Sequence, residues 1–166
     1  MPPPVFRKTI VVGVADMAVT NDTTADLVTY SLGSCLGITV YDPTVHVGGL
    51  LHLMLPDSSI DKVKAEEAPY MFVDTGVPLL FRTAYQLGAD KSRIILKVAG
   101  GAEVISGHDL FNIGKRNIES LYQILTRNNV QITSQRVGGQ VSRTVRLDVG
   151  TGKVLVKTPG EEDINL

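Results

Sequence analysis

The first third of the chain carries aliphatic and β-branched residues in short runs broken by turn formers. KTIVVGVA (8–15), LVTYSL (27–32), CLGITVYD (35–42) and VGGLLHLML (47–55) therefore read as strands. YDPTVH separates the last two, and Asp42-Pro43 starts a turn well, so these two form a hairpin. PDSSIDKVKAEEAP (56–69) is charged and bounded by prolines, and reads as an exposed loop or a short helix.

The period then changes. Val77, Leu80, Phe81 and Ala84 fall on one face of a helix, with Asp74 or Thr75 expected to cap its start, Pro78 in its first turn and Gly88 at its end. SRIILKVA is a further strand running into Gly100-Gly101. A second helix is marked by Ile118, Leu121, Tyr122 and Leu125, stopping at Asn128-Asn129. VQITSQ, RTVRLDV and KVLVKT complete the set, the last two as a hairpin across Gly150-Thr151-Gly152. About nine strands and two main helices do not alternate regularly, so the expected class is α+β, a single-domain layered sandwich of β-sheets over 1–166. Residues 1–7 and 160–166 are expected to be flexible tails.

Composition narrows the function. The chain has 166 residues, enough for a core without disulfides or metal, and 16 basic against 17 acidic side chains with no basic block. Nucleic-acid binding is not expected, nor is membrane insertion, since no apolar run reaches spanning length. A lone cysteine fits a reducing compartment, and the expected location is cytoplasmic.

That cysteine, Cys35, lies in a Leu-Gly-Ser-Cys-Leu-Gly turn, and His52 follows 17 positions later in an otherwise apolar strand. A thiol near neutral pH is mostly protonated and needs a base to become a nucleophile. His52 shares a strand face with Leu50 and Met54, the neighbouring strand begins at Cys35, and a hairpin can bring the two together. Thr29 is a candidate to orient the ring, through its hydroxyl or its carbonyl. Gly33 and Ser34 supply a tight turn whose N–H groups can face an oxyanion. The alternative is structural: buried cysteine and histidine are commonly core residues.

Other motifs carry less. Cys35, His46, His52 and His108 are zinc-ligand types without ligand-pair spacing, so no metal is expected. VGTGKV lacks the phosphate-loop pattern, with Leu147 where a glycine is required and Val154 where a hydroxyl is required.

TYSLGSCLG, the Asp42-Pro43 turn and GGLLHLMLPDSS closely resemble the chemoreceptor glutamine deamidases, the CheD family. The resemblance continues through YMFVDTGVPLL, KVAGGAEV, IGKRNIESL and RTVRLDVGTGKV. It implies hydrolysis of receptor glutamine amides to glutamates by a cofactor-free protein-glutamine glutaminase in chemotaxis adaptation. It also implies a catalytic set falling on Cys35, His52 and Thr29, and a fold similar to the cytotoxic necrotizing factor toxins. The implied partners are chemoreceptor helices as substrate and a CheC-type phosphatase. For the substrate rim, Asp57, Ser58, Tyr70 and Asp74 of the 56–75 segment are the candidates. Two alternatives share these residues: a non-catalytic adaptor that docks on receptor and phosphatase, and a cysteine amidase with another substrate.

Overall fold

The computed structural model describes residues 1–4, 6–103 and 112–166. Among these the strands are β1 (Lys8–Val11), β2 (Asp16–Thr20), β3 (Ala25–Leu32), β4 (Leu36–Asp42), β5 (Val47–Leu53), β6 (Ile95–Gly100), β7 (Ser134–Val137), β8 (Arg143–Asp148), β9 (Val154–Lys157) and β10 (Ile164–Asn165). The helices are α1 (Lys62–Glu67), α2 (Val73–Gln86) and α3 (Ile113–Arg127).

The strands form two five-stranded sheets, ordered β1-β3-β8-β9-β10 and β2-β5-β4-β6-β7, which are called here the outer and the central sheet. The fold is a layered α+β sandwich. Alternation along β4 and β5 explains the order of the layers. Leu36, Ile38, Val40, Leu51 and Leu53 pack with Val77, Leu80 and Phe81 of α2 and Leu121 and Leu125 of α3. Leu50 turns the other way and packs with Leu27 and Leu32 of β3 and Val145 and Leu147 of β8. A sheet covered on both faces has no polar side, which is why VGGLLHLML reads as continuously apolar.

The Asp42-Pro43 hairpin forms, pairing β4 with β5 in register from Leu36–Leu53 to Asp42–Val47. The hairpin of β8 and β9 forms as well. KTIVVGVA, however, is not one strand. The chain turns between Val12 and Ala15, which has a φ of 55°, and passes from the outer sheet into the central one. The β-branched run hides this break because each half is a good strand in its own sheet.

Helix α2 starts earlier than expected. Phe72 is its N-cap residue, so Asp74 and Thr75 do not cap it and Pro78 lies beyond the first turn. Burial of Phe72 and Val73, together with the bridge between Leu55 and Phe72, sets the entry point instead. In α3 the buried stripe is Gly114, Asn117, Leu121 and Leu125, whereas Tyr122 is exposed. Both expected tails are held in part, the first at its inner end and the second at its last residues. Arg7 binds Asp26 and Asp148, Ile164–Asn165 pairs with β9, and the Leu166 N–H donates to the Val154 carbonyl.

Candidate active site

Cys35 immediately precedes β4, and the register of the hairpin fixes its relation to His52. His52 is directly opposite Gly37, and Cys35 is two residues before Gly37. Extending the alternation of β4 back by one residue puts Cys35 on the sheet face of His52, at a diagonal position. The residue between them is a glycine. A Cβ at Gly37 would stand 2.7 Å from Leu32 Cδ1 and 3.6 Å from Thr29 Cγ2. The face shared by Cys35 and His52 thus opens into the gap between the sheets, where Thr29 sits.

Thr29 belongs to β3 of the outer sheet, and its Oγ1 is 2.7 Å from His52 Nδ1. The partner of the ring therefore comes from across the sandwich. It does not come from the paired strand, where Gly37 offers no side chain. Between Thr29 and Cys35 the chain does not stay regularly extended: β3 carries a register shift between Thr29 and Leu32, and Ser31 has a φ of 59°.

The Thr29 hydroxyl donates its single proton to the Val12 carbonyl, at 2.7 Å. Its oxygen is then left to accept from His52 Nδ1–H, which makes Nε2 the lone-pair nitrogen of a neutral ring. His52 and Thr29 are fully covered, and among the described residues Nε2 has no hydrogen-bond partner. Val12 is in the corner that carries the chain from β1 to β2. The break that sequence patterning misses thus also supplies the acceptor that orients Thr29.

Burial sets the protonation states. Desolvation pushes the Cys35 thiol above its ordinary value, offset in part by its own backbone N–H, and pushes the His52 imidazole below its ordinary value. Both groups are neutral at rest near pH 7. The directions of the two shifts disfavour a standing thiolate–imidazolium pair.

The turn before β4 is held by its carbonyls. Gly33 C=O accepts from Ala102 N–H at 2.8 Å, Ser34 C=O from Asn117 Nδ2 at 2.9 Å, and Cys35 C=O from Gly101 N–H at 2.8 Å. The N–H groups of Ser34 and Cys35 bond to no other residue among the described ones. Backbone donors so placed beside a partly buried thiol can serve a developing oxyanion.

The four expected rim residues form no hydrogen bond with Cys35, His52 or Thr29. Asp57 caps a turn through Ser59 N–H, and Asp74 accepts from both Ser58 N–H and Ser58 Oγ. Tyr70 packs against the core between the helices and the central sheet. These residues fix the course of the 56–75 segment. Exposed apolar residues on the elements next to the site include Val14, in the crossing corner, and Tyr30, which follows Thr29 in β3. His46 hydrogen-bonds Tyr41 at the far end of the hairpin, and His108 lies outside the described residues. Among the described residues no helix is long and apolar enough to cross a membrane.

Comparison with known proteins identifies the family of the chain. A relative from Syntrophus aciditrophicus, named probable chemoreceptor glutamine deamidase CheD 1, is 50% identical over 91% of this chain and 94% of its own. One from Solibacter usitatus, named probable chemoreceptor glutamine deamidase CheD, is 44% identical over 92% of this chain and 90% of its own. One of the same name from Desulforamulus reducens is 42% identical over 91% of each. The family model described as CheD chemotactic sensory transduction matches residues 54–158. With that match and relatives of this identity along nearly its whole length, the chain belongs to the CheD family.

Proposed function

We propose that this chain is a chemoreceptor glutamine deamidase, a protein-glutamine glutaminase that hydrolyses receptor glutamine side chains to glutamate with release of ammonia. The names of its relatives support the substrate class. One observation carries the chemistry: His52 is buried with Nδ1 committed to Thr29 and Nε2 unpartnered among the described residues, on the face assigned to Cys35.

In this mechanism His52 Nε2 takes the Cys35 proton and the thiolate attacks the amide carbon of the glutamine. The N–H groups of Ser34 and Cys35 hold the resulting oxyanion. Imidazolium returns its proton to the leaving nitrogen, ammonia departs, and a thioester remains. Water then attacks the thioester carbon while Nε2 takes its proton. Collapse of this second tetrahedral adduct expels the Cys35 thiolate, which is reprotonated by His52, and releases glutamate. Thr29 keeps the ring in one tautomer throughout, and its link to Val12 keeps the hydroxyl aimed. Val14 and Tyr30 supply an apolar lip suited to a receptor helix. The CheC-type phosphatase implied by the family resemblance is proposed as a partner competing for that lip.

The test is mass spectrometry of a chemoreceptor cytoplasmic domain incubated with the protein or with Cys35→Ala. Conversion of discrete glutamines to glutamate by the wild type alone is the expected result. Absence of conversion by a folded wild-type protein on its cognate receptor would favour the adaptor role.

A further inference from the structure

Asn117 of α3 is fully buried, although it is a primary amide in the stripe of a helix that otherwise buries glycine and leucine. Its Nδ2 donates to two carbonyls that are distant in sequence, Ser34 C=O and Met54 C=O, each at 2.9 Å. Ser34 directly precedes Cys35, and Met54 lies two residues beyond His52. One side chain thus ties the turn that carries the thiol to the exit of the strand that carries the base.

The bond to Ser34 has a further consequence. The Ser34 carbonyl and the Cys35 N–H belong to one planar peptide unit and point in opposite directions. Holding the carbonyl toward Asn117 therefore turns the Cys35 N–H away from α3, to the side where it touches its own thiol. Close approach of the helix makes this possible. A Cβ on Gly114 would stand only 2.4 Å from the Ala102 carbonyl, so α3 lies directly on the backbone beside the cysteine turn. Among the described residues Asn117 Oδ1 has no partner, so Asn117 is held at this site only by what it donates.

We propose that Asn117 is a positioning residue of the active site: by binding Ser34 C=O and Met54 C=O it fixes the peptide plane that presents the Cys35 N–H to the oxyanion and holds the thiol at its diagonal position to His52. The inference rests on the deamidase function proposed above. It concerns a residue that touches neither substrate nor thiol and acts through the backbone.

The experiment uses full-length Asn117→Asp, which keeps the shape but loses both donated bonds as a carboxylate, and Asn117→Ser, which keeps one donor. Folding is followed by circular dichroism, deamidation by kcat and KM on a receptor cytoplasmic domain, and thiol reactivity by the pH dependence of iodoacetamide alkylation of Cys35. The expected result is folded variants with kcat lower by about 10²-fold in Asn117→Asp, a smaller loss in Asn117→Ser and an unchanged KM. The alkylation profile should move to higher pH, because the thiol loses a fixed N–H donor. Folded variants with wild-type kcat and a wild-type alkylation profile would overturn the proposal. Failure of both variants to fold would also overturn it, by assigning Asn117 to stability. Alkylation needs no receptor, so a shifted profile in a protein that never deamidates would leave the positioning role standing and remove only the deamidase function.

Discussion

His52 Nδ1 and Thr29 Oγ1 meet at 2.7 Å across the gap between two sheets, and the Thr29 proton is already given to Val12. The geometry assigns one tautomer to the ring. Thr29→Val keeps the shape but removes the oxygen, leaving Nδ1 and the Val12 carbonyl without their partner. The expected cost is about 1–3 kcal/mol of stability, read from thermal denaturation. Deamidation should fall by about 10²-fold. Thr29→Ser should retain most of the activity, and equal rates from Thr29→Val and wild type would remove the hydroxyl from the mechanism.

Burial makes the thiol harder to ionise, so Cys35 should not behave as a resting thiolate. The rate of its alkylation by iodoacetamide is expected to keep rising beyond about pH 8.5, the ordinary range of a free thiol. A plateau near neutrality would instead reveal a standing thiolate–imidazolium pair.

His52 sets a pH dependence of stability with a definite sign. Its folded pKa is lowered by burial, so on acidification the unfolded chain takes up the proton first. This contribution to stability is complete above the unfolded value of about 6.5 and declines as pH falls through it toward the folded value. Between about pH 8 and about pH 5.5 the wild type should lose more stability than His52→Gln, measured by urea denaturation. Parallel losses in the two proteins would show that the imidazole is not held neutral.

Gly37 faces His52 across the hairpin, and its missing Cβ leaves room for Leu32 to pack beside Thr29. Gly37→Ala forces Leu32 to shift, with an expected cost of about 1–3 kcal/mol. The loss in deamidation should exceed what unfolding at the assay temperature explains. A variant as active per folded molecule as wild type would show that Leu32 can give way without disturbing Thr29 and His52.

Asp42, at the far end of β4, separates stability from catalysis. It is buried, accepts from Arg93 and from the N–H groups of Thr44 and Asp90, and is thereby held below the ordinary carboxylate range against a desolvation that pushes it up. Asp42→Ala should cost about 3 kcal/mol, at the lower end for a broken buried pair because Arg93 is partly exposed. Activity per folded molecule should be unchanged. The wild-type contribution is present above the unfolded carboxylate pKa and lost as pH falls through the lower folded one.

What sequence patterning captures here is local. The hairpin of β4 and β5 follows from two apolar runs and an Asp-Pro turn, and the cover over His52 follows from leucines on both faces of its strand. What it misses is set at long range. Nothing in KTIVVGVA announces that the chain changes sheets at Val12, because β-branched residues suit both halves. The partnership of Thr29 and His52 needs the two sheets stacked, which no spacing along the chain encodes. Asn117 breaks the apolar pattern of α3, yet it stands four positions before Leu121 and eight before Leu125, on the buried face. An amide at such a position can be recognised as a group that needs buried partners.

The two-sheet origin of the site bears on when the enzyme becomes dangerous to its surroundings. Cys35 and His52 lie on one hairpin, but Thr29 is placed by β3, whose antiparallel partner β8 runs from Arg143 to Asp148, more than 110 residues downstream. A ribosome that has produced the hairpin has produced an unarmed cysteine. In the mechanism proposed above the base gains its orienting hydroxyl only when the C-terminal strands close the outer sheet, so a nascent or truncated chain is expected to carry a much weaker nucleophile into a cell full of glutamines.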